Sequence, residues 1–180
     1  MKEIIADNNR AIRVYDDVFD FAYRQDIYAF VTKSLFQIGW ADGNVIENKK
    51  HMFLHSAYSE ADLNRLGYLA KIANSPVAKE IEGHKLVHAV INLSTPSDVN
   101  FVHSHPEDKV ILYYVNLEWH DGWHGETLFY SDNLKEIVFA SPYTPGRIIA
   151  FDAKIPHTIR PQSHMAAFYR FTFALVYTKC

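Results

Sequence analysis

The stretch FVHSHPEDKVILYYVNL, residues 101–117, carries the two features that decide how this chain folds. Its second half, residues 109–117, is rich in β-branched, aromatic and other apolar side chains, which is typical of a β-strand. Its first half places His103 and His105 at positions i and i+2. If this half is extended, the two imidazoles point to the same face. The stretch therefore predicts a strand preceded by a pair of candidate metal ligands.

Sequence patterns typical of β-strands continue on both sides of this stretch. The other runs that we expect to form strands are residues 86–93, 127–130, 136–140, 147–151 and 167–177. Turn-forming residues separate them, for example Asp121-Gly122 and the segment from Pro142 to Gly146. Several short strands at this spacing indicate an antiparallel sandwich or barrel rather than a parallel sheet.

The first half of the chain reads mostly as helix. Apolar residues recur at near-helical spacing over residues 17–35, after Asp16 or Asp17 as a possible cap. Residues 59–62 have the form of a capping box, and the pattern continues to about residue 73, with a short helical turn to Gly83. Residues 39–56, which include Asp42-Gly43-Asn44, are predicted to be turn and loop. The expected fold class is mainly β with N-terminal helices (α+β). We expect one domain over residues 1–180, helical to about residue 85 and a β roll from about 86.

The composition excludes several classes of function. Eighteen basic and twenty-one acidic residues give a formal charge of −3, and Lys and Arg form no long run. Nucleic acids and membranes are therefore not expected partners. No apolar stretch has the length of a signal peptide or membrane span, which favours a cytoplasmic location. The single cysteine, Cys180, excludes an internal disulfide and a thiolate cluster. Any metal must be held by nitrogen and oxygen, and the chain has ten histidines.

A third histidine stands in a suitable context. His157 follows the strand-like run 147–151 after a short interval. Imidazole is a good ligand for iron, zinc, copper and nickel, and three protein ligands leave coordination positions open to water or substrate. His103, His105 and His157 are therefore the candidate ligands of a catalytic metal.

Several motifs then follow one another in a recognisable order. They are His103-Ser104-His105, ILYYVN at 111–116, WHGETLFY at 123–130, PGRIIAFD at 145–152, His157 and Arg170-Phe171-Thr172. This order closely resembles the prolyl 4-hydroxylase-like branch of the Fe(II)/2-oxoglutarate-dependent oxygenases. The resemblance covers roughly the C-terminal half of the chain. The N-terminal half has no motif of comparable specificity.

The resemblance implies a double-stranded β-helix, or jelly-roll, that holds Fe(II) and uses 2-oxoglutarate and O2 as cosubstrates. His103 matches the first metal ligand of the family and His157 the distal one. Arg170 matches the residue that pairs with the far carboxylate of 2-oxoglutarate, assisted by the hydroxyls of Thr172 and Tyr114. The implied activity couples oxidative decarboxylation of 2-oxoglutarate to succinate with hydroxylation of a substrate.

The residues themselves agree with the assignment of the anion anchor. In an extended strand Arg170 and Thr172 share one face, whereas Phe171 and Phe173 share the other. That arrangement offers a guanidinium fork and a hydroxyl on one side and a packing surface on the other. Arg160 is a competing anchor, but it precedes Pro161 in an expected loop and lacks the partner hydroxyl.

One departure from the family pattern affects the metal ligands. The family has a carboxylate two residues after the first histidine, and His105 occupies that position here. His105 could itself be a ligand, which gives a three-histidine site with one negative charge fewer. Alternatively, the turn at Pro106 could bring Asp108 round as the third ligand. The third protein ligand could also be absent. A second departure is His124, which stands where the pattern has glycine.

Three functions follow from these alternatives. The first is a 2-oxoglutarate-dependent dioxygenase, specifically a prolyl 4-hydroxylase-like hydroxylase. The second is a cupin-like enzyme with a three-histidine metal that does not use 2-oxoglutarate. The third is a non-enzymatic jelly-roll binding module. The substrate, whether a peptide or a small molecule, cannot be read from the sequence, because function resides in details of the site rather than in the fold.

Overall fold

The computed structural model describes residues 1–43 and 46–180 of the chain. In this part of the chain it has eleven β-strands, three α-helices and four short 3-10 segments. The strands are β1 (Lys2–Ile5), β2 (Ala11–Tyr15), β3 (Gln37–Trp40), β4 (Phe53–Tyr58), β5 (His84–Ser94), β6 (Lys109–Tyr114), β7 (Thr127–Tyr130), β8 (Ile137–Ser141), β9 (Ile148–Asp152), β10 (His157–Ile159) and β11 (Arg170–Lys179). The helices are α1 (Phe21–Thr32), α2 (Glu60–Arg65) and α3 (Tyr68–Ala73).

The strands form two antiparallel sheets. The larger sheet has eight strands in the order β1-β2-β9-β6-β11-β5-β4-β3, and the smaller has three in the order β10-β7-β8. An isolated antiparallel bridge joins His103 to His157 beside β10, on the free edge of the smaller sheet. The chain therefore passes repeatedly between the sheets, as the spacing of the predicted strands indicates.

Strand β11 divides the interior into two cores. Its odd-numbered residues from Phe171 to Tyr177 pack in one apolar cluster with the three helices. Ala174 and Val176, on the other face, pack in a second cluster that also contains Phe129 of the smaller sheet. The alternation follows from the two-residue period of a strand. The helices thus cover one face of the large sheet, and the small sheet covers the other.

The helices are shorter than the sequence predicts, for local reasons. Helix α1 lies within the predicted range 17–35, but it begins after Asp20, whose side chain accepts a hydrogen bond from the Tyr23 N–H. The predicted capping box is present at Ser59 and Asp62. Gly67 has φ +68° and separates α2 from α3, so the predicted continuous helix is broken.

Two predictions for the first half of the chain are wrong. Residues 39–56 are not only turn and loop, because β3 ends and β4 begins within them. The first 85 residues are not mostly helical, since they contribute four strands to the large sheet. Asn44, part of the predicted turn, lies outside the described residues. These strands escaped detection because they are short and lie towards the edges of the sheet, and because β1 and β3 are also mostly exposed.

In the described part of the chain, none of the helices has both the length and the apolar character needed to cross a membrane. The expected cytoplasmic location stays a prediction.

Candidate metal centre and anion pocket

The structure brings His103, His105 and His157 together at one end of the roll. Their candidate ligand atoms all lie within 4.8 Å of one another. The ring centroids of His103 and His157 are 4.5 Å apart. The ring centroid of His105 lies 5.1 Å from that of His103 and 5.2 Å from that of His157. Three convergent imidazoles of this kind form a donor set suited to Fe, Zn, Cu or Ni.

Backbone pairing sets this convergence. His103 and His157 exchange both backbone hydrogen bonds, with N···O distances of 3.0 and 2.9 Å. The N–H of His105 donates to the carbonyl of Ala153 at 2.9 Å, so the chain stays pinned two residues further on. Because side chains two residues apart in an extended segment share a face, His103 and His105 both point towards His157.

Two of the rings are oriented by carbonyl groups. Nδ1 of His103 lies 3.0 Å from the carbonyl oxygen of Phe101, and Nδ1 of His157 lies 2.9 Å from that of Ile155. A carbonyl oxygen only accepts, so each Nδ1 carries the proton and each Nε2 is free to bind a metal. A hydrogen bond from the nitrogen that does not bind the metal fixes both the tautomer and the plane of a ligating ring.

Burial keeps two of the rings neutral. Burial, together with the neighbouring His103 and His88, lowers the pKa of His105 to about 4. Burial also lowers the pKa of His157 well below its ordinary value. Neutral imidazole is the form that binds a metal, so both rings are ready to bind one at pH 7 without first losing a proton.

Asp42 is a site residue that the sequence did not reveal as one. Its Oδ1 lies 3.5 Å from Nδ1 of His103, and its Oδ2 accepts a hydrogen bond of 2.7 Å from the N–H of Phe101. Burial raises the pKa of this carboxyl, and His103 opposes the rise. No local pattern links residue 42 to residue 103, because the contact forms only when the chain is folded.

Arg170 supplies a buried positive charge to the same cavity. Its side chain has 0% exposure, and Nε donates to the carbonyl of Gly125 at 2.8 Å. Nη2 donates to Oγ1 of Thr127 at 3.3 Å, whereas Nη1 has no partner. The guanidinium lies 5.4 Å from the ring centroid of Tyr114 and 4.9 Å from that of Tyr143. Burial lowers the pKa of Arg170, but a guanidinium stays charged in proteins.

The absence of a glycine side chain makes room for this arginine. Gly125 has φ +86°, and a Cβ there would lie 3.1 Å from Cδ of Arg170. Glycine is thus required both by the backbone conformation and by the close approach of the guanidinium stem.

The other two predicted anion ligands differ in their placement. Thr172 lines the cavity with Arg170, and its Oγ1 is buried without a partner. The hydroxyl of Tyr114 instead donates to Oγ1 of Thr127 at 2.7 Å, the same atom that receives Nη2 of Arg170. The hydroxyl of Thr172 is therefore free to bind a ligand, whereas the hydroxyl of Tyr114 is already hydrogen-bonded to Thr127.

The alternatives to His105 and Arg170 lie elsewhere. Oδ2 of Asp108 accepts from Oγ1 of Thr178 at 3.0 Å and from the N–H of Lys179 at 2.9 Å, so this carboxylate ties down the end of β11. Arg160 is half exposed and lies 3.5 Å from Glu126. Neither residue joins the described histidines and Arg170 around the cavity.

The metal group and the anion pocket share one cavity of about 70 Å³. A single water needs roughly 10–15 Å³, so several small groups fit. The cavity lies between the two sheets, and its polar lining includes the three histidines, Asn92, Arg170 and Thr172. Oδ1 of Asn92 is also buried without a partner. Unpartnered buried polar atoms on several strands are a sign of a missing ligand.

Comparison with known proteins gives the class of fold. Neither the family models nor the curated proteins contain a match. Among solved structures, similarity is found to a prolyl hydroxylase from Trichoplax adhaerens in complex with a hypoxia inducible factor oxygen degradation domain peptide fragment. The identity is 14% and the TM-score 0.65, over 93% of this chain and 83% of that one.

Two further structures extend the comparison. The prolyl-4-hydroxylase of Pseudomonas putida is 10% identical with a TM-score of 0.61, over 93% of this chain and 92% of that one. The non-heme alpha ketoglutarate dependent epimerase SnoN from nogalamycin biosynthesis is 13% identical with a TM-score of 0.67, over 93% and 76% of the two chains. The chain therefore has the fold of the 2-oxoglutarate-Fe(II) oxygenases, prolyl hydroxylases included.

Proposed function

We propose that this protein is an Fe(II)/2-oxoglutarate-dependent dioxygenase, a prolyl 4-hydroxylase-like hydroxylase built on a double-stranded β-helix. The observation that carries the proposal is the guanidinium of Arg170, fully buried and without a carboxylate partner among the described residues, in the same cavity as three convergent imidazoles. A buried unpaired charge is strongly unfavourable, and an anionic ligand removes that cost. The oxygenase fold supports the identity of that anion.

His103, His105 and His157 would hold the metal. Their donor set suits Fe(II), and three protein ligands leave positions open for a chelating cosubstrate and O2. When bound, the metal supplies the activation of O2 that couples decarboxylation of 2-oxoglutarate to hydroxylation. The placement of Asp108 at the end of β11 favours His105 over Asp108 as the third ligand.

Arg170 and Thr172 would hold the far carboxylate of 2-oxoglutarate. Nη1 and Oγ1 are the unpartnered donors on this face of β11, and a carboxylate accepts from both. Tyr114 supports the pocket indirectly, since its hydroxyl and Nη2 of Arg170 both bind Thr127. Burial of these groups excludes water and strengthens each charged hydrogen bond.

The substrate would be a peptide or a small molecule that reaches the metal through an open cleft. Gly39 and Trp40 of β3 and Met52, just before β4, line this cleft together with His103 and His105. The similar structures include a prolyl hydroxylase in complex with a peptide fragment and an epimerase from nogalamycin biosynthesis, so the fold does not decide between the two classes of substrate.

Succinate formation tests the proposal directly. Purified protein incubated with Fe(II), ascorbate, 2-oxoglutarate and O2 at high enzyme concentration should form succinate slowly even without the substrate. His157→Ala should abolish this turnover, whereas His164→Ala, a change of an exposed histidine, should not. Turnover that survives in His157→Ala would contradict the metal site. Tight metal binding without any binding of 2-oxoglutarate would support the cupin-like alternative instead.

A further inference from the structure

Asp42 is a buried carboxylate beside the three histidines, and the proposed function gives it no role. It lies on the segment between β3 and β4, only 7% exposed, and lines the cavity that contains the metal group. Its Oδ1 is 3.5 Å from Nδ1 of His103. The carboxylate therefore approaches the ring of His103 at Nδ1 rather than at the free Nε2.

Several contacts hold this carboxylate in place. Its Oδ2 accepts from the N–H of Phe101 at 2.7 Å, and the carbonyl of Asp42 accepts from Nδ2 of Asn48 at 2.6 Å. The next residue, Gly43, has φ +67°, and a Cβ there would lie 3.4 Å from Cβ of His103. Asp42 and Gly43 therefore pack against the side chain of His103 and the backbone of Phe101.

The charge of Asp42 lacks a permanent counterion. Within residues 1–43 and 46–180, no lysine or arginine forms an ion pair with it, and His103, 3.5 Å away, is uncharged when its Nε2 is free to bind a metal. A buried carboxylate without a cation is unfavourable. The three imidazoles, for their part, would leave a divalent cation with no negative charge among its ligands.

We infer that Asp42 is a positioning residue of the metal centre: it orients His103 through Nδ1 and supplies, one contact away from the metal, the negative charge that the third histidine does not. The inference rests on the metal site of the proposed function. Carboxylates that bind the outer nitrogen of a ligating histidine fix the ring and raise its basicity. Nδ1 of His103 lies 3.0 Å from the carbonyl oxygen of Phe101, and Oδ1 of Asp42 lies 3.5 Å from the same nitrogen.

The experiment compares metal affinity and stability in Asp42→Asn. Metal-free wild type and variant are titrated with Co²⁺, whose visible absorption reports the bound ion. Loss of an outer-shell partner typically lowers metal affinity 10- to 100-fold. We expect a loss of about that size in Asp42→Asn, while the melting temperature of the metal-free protein does not fall. The amide oxygen of asparagine can still accept from the N–H of Phe101, so the segment keeps its anchor.

Two further variants make the result specific. Asp108→Asn removes the same charge from a carboxylate at the end of β11 and should leave Co²⁺ affinity unchanged. His103→Ala should abolish stoichiometric binding. Equal affinity of wild type and Asp42→Asn would overturn the role of Asp42 alone. Loss of binding as complete as in His103→Ala would also overturn it, because Asp42 would then be a direct ligand. Failure of the wild type to bind any divalent metal would overturn the metal site, and the inference with it.

Discussion

At the scale of single residues, the clearest feature is that polar groups of the cavity lack hydrogen-bond partners in the absence of a ligand. The guanidinium of Arg170 is buried with one nitrogen unpaired, and Oγ1 of Thr172 is buried nearby on the same strand face. Native proteins leave few buried polar atoms without partners, and those few call for an explanation. The carboxylate ligand proposed above would accept hydrogen bonds from both Arg170 and Thr172.

Arg170→Met should weaken the binding of 2-oxoglutarate and leave the protein folded. The substitution removes the charge and keeps an unbranched side chain, so the loss of hydrogen bonds to Gly125 and Thr127 is offset by removal of a buried unpaired charge. We expect a folded protein that binds metal as before. Charge-assisted hydrogen bonds contribute about 1.5–3 kcal/mol each, so the affinity for 2-oxoglutarate should fall at least about 10-fold.

The measurement is calorimetric titration of 2-oxoglutarate into metal-loaded protein. Arg160→Met is the matched control, because Arg160 is half exposed and was the competing anchor. It should leave the affinity unchanged. If Arg160→Met weakens binding and Arg170→Met does not, the assignment of the anion pocket is wrong.

Asp108→Asn distinguishes a structural carboxylate from a metal ligand. Hydrogen bonds from the N–H of Lys179 and the hydroxyl of Thr178 lower the pKa of Asp108 in the folded protein. A group whose folded pKa is lowered stabilises the fold above its unfolded value of about 3.9, and this contribution is lost as the pH falls through the folded pKa. The variant should therefore be less stable than wild type at pH 7.

Urea denaturation at a series of pH values checks this prediction. The difference in unfolding free energy between wild type and Asp108→Asn should be largest at neutral pH and should close below about pH 4. Iron content after reconstitution should be the same in both proteins. Loss of iron in Asp108→Asn would identify this carboxylate as the third ligand and exclude the three-histidine centre.

Part of the site could be predicted from residue spacing and part could not. His103, His105 and His157 were identified from an i, i+2 pair, a later histidine and the motif order, and the structure brings all three rings together. Asp42 could not be found in this way. It lies sixty-one positions before His103 in the sequence and belongs to no ligand motif. The two residues come together only when the chain is folded.

At the scale of elements, the two faces of strand β11 contribute to different parts of the protein, one to the apolar core and the other to the candidate site. Phe173 packs on the helices, where its ring stacks on that of Tyr68 at 4.8 Å, whereas Thr172 faces the cavity. Neighbouring positions on this one strand should therefore respond differently to substitution. The two-residue period that separates them was already visible in the sequence.

Phe173→Ala and Thr172→Val form the matched pair that tests this division. Removing a buried phenyl ring costs about 3–5 kcal/mol, so Phe173→Ala should lower the unfolding free energy by that amount. Thr172→Val removes a buried hydroxyl that lacks a partner, so the stability of the ligand-free protein should not fall. Its affinity for 2-oxoglutarate should fall instead, as titration calorimetry would show. A destabilised Thr172→Val with unchanged affinity would contradict the assignment.

The elements themselves were predictable in proportion to their hydrophobic pattern. Strand β7 occupies residues 127–130 as predicted, and the strongly apolar runs gave β5, β6, β8, β9 and β11 to within a few residues. Strand β10 was missed because it has three residues and follows directly after a proline. Strands β1 and β3 were missed because most of their residues are exposed. Strand β2 was missed because it has only five residues, and β4 because two of its buried residues, His55 and Ser56, are polar.

At the scale of the whole molecule, the motif order predicted the class of fold better than any local pattern did. The C-terminal roll and the oxygenase resemblance agree with the solved structures of this fold. The extension of the large sheet by β1 and β2 on one side and by β4 and β3 on the other was not predictable. Strand pairing between distant segments depends on long-range contacts that no local window contains.

The most direct measurement is metal-edge anomalous diffraction from crystals grown anaerobically with Fe(II) and 2-oxoglutarate. We expect one strong anomalous peak at about 2.0–2.2 Å from a nitrogen of each of the three rings, of His103, His105 and His157, as is usual for metal–imidazole bonds. Density for 2-oxoglutarate should join this peak to the guanidinium of Arg170. A peak bound by Asp108 or Asp42 instead of His105, or 2-oxoglutarate density away from Arg170, would contradict the proposed centre.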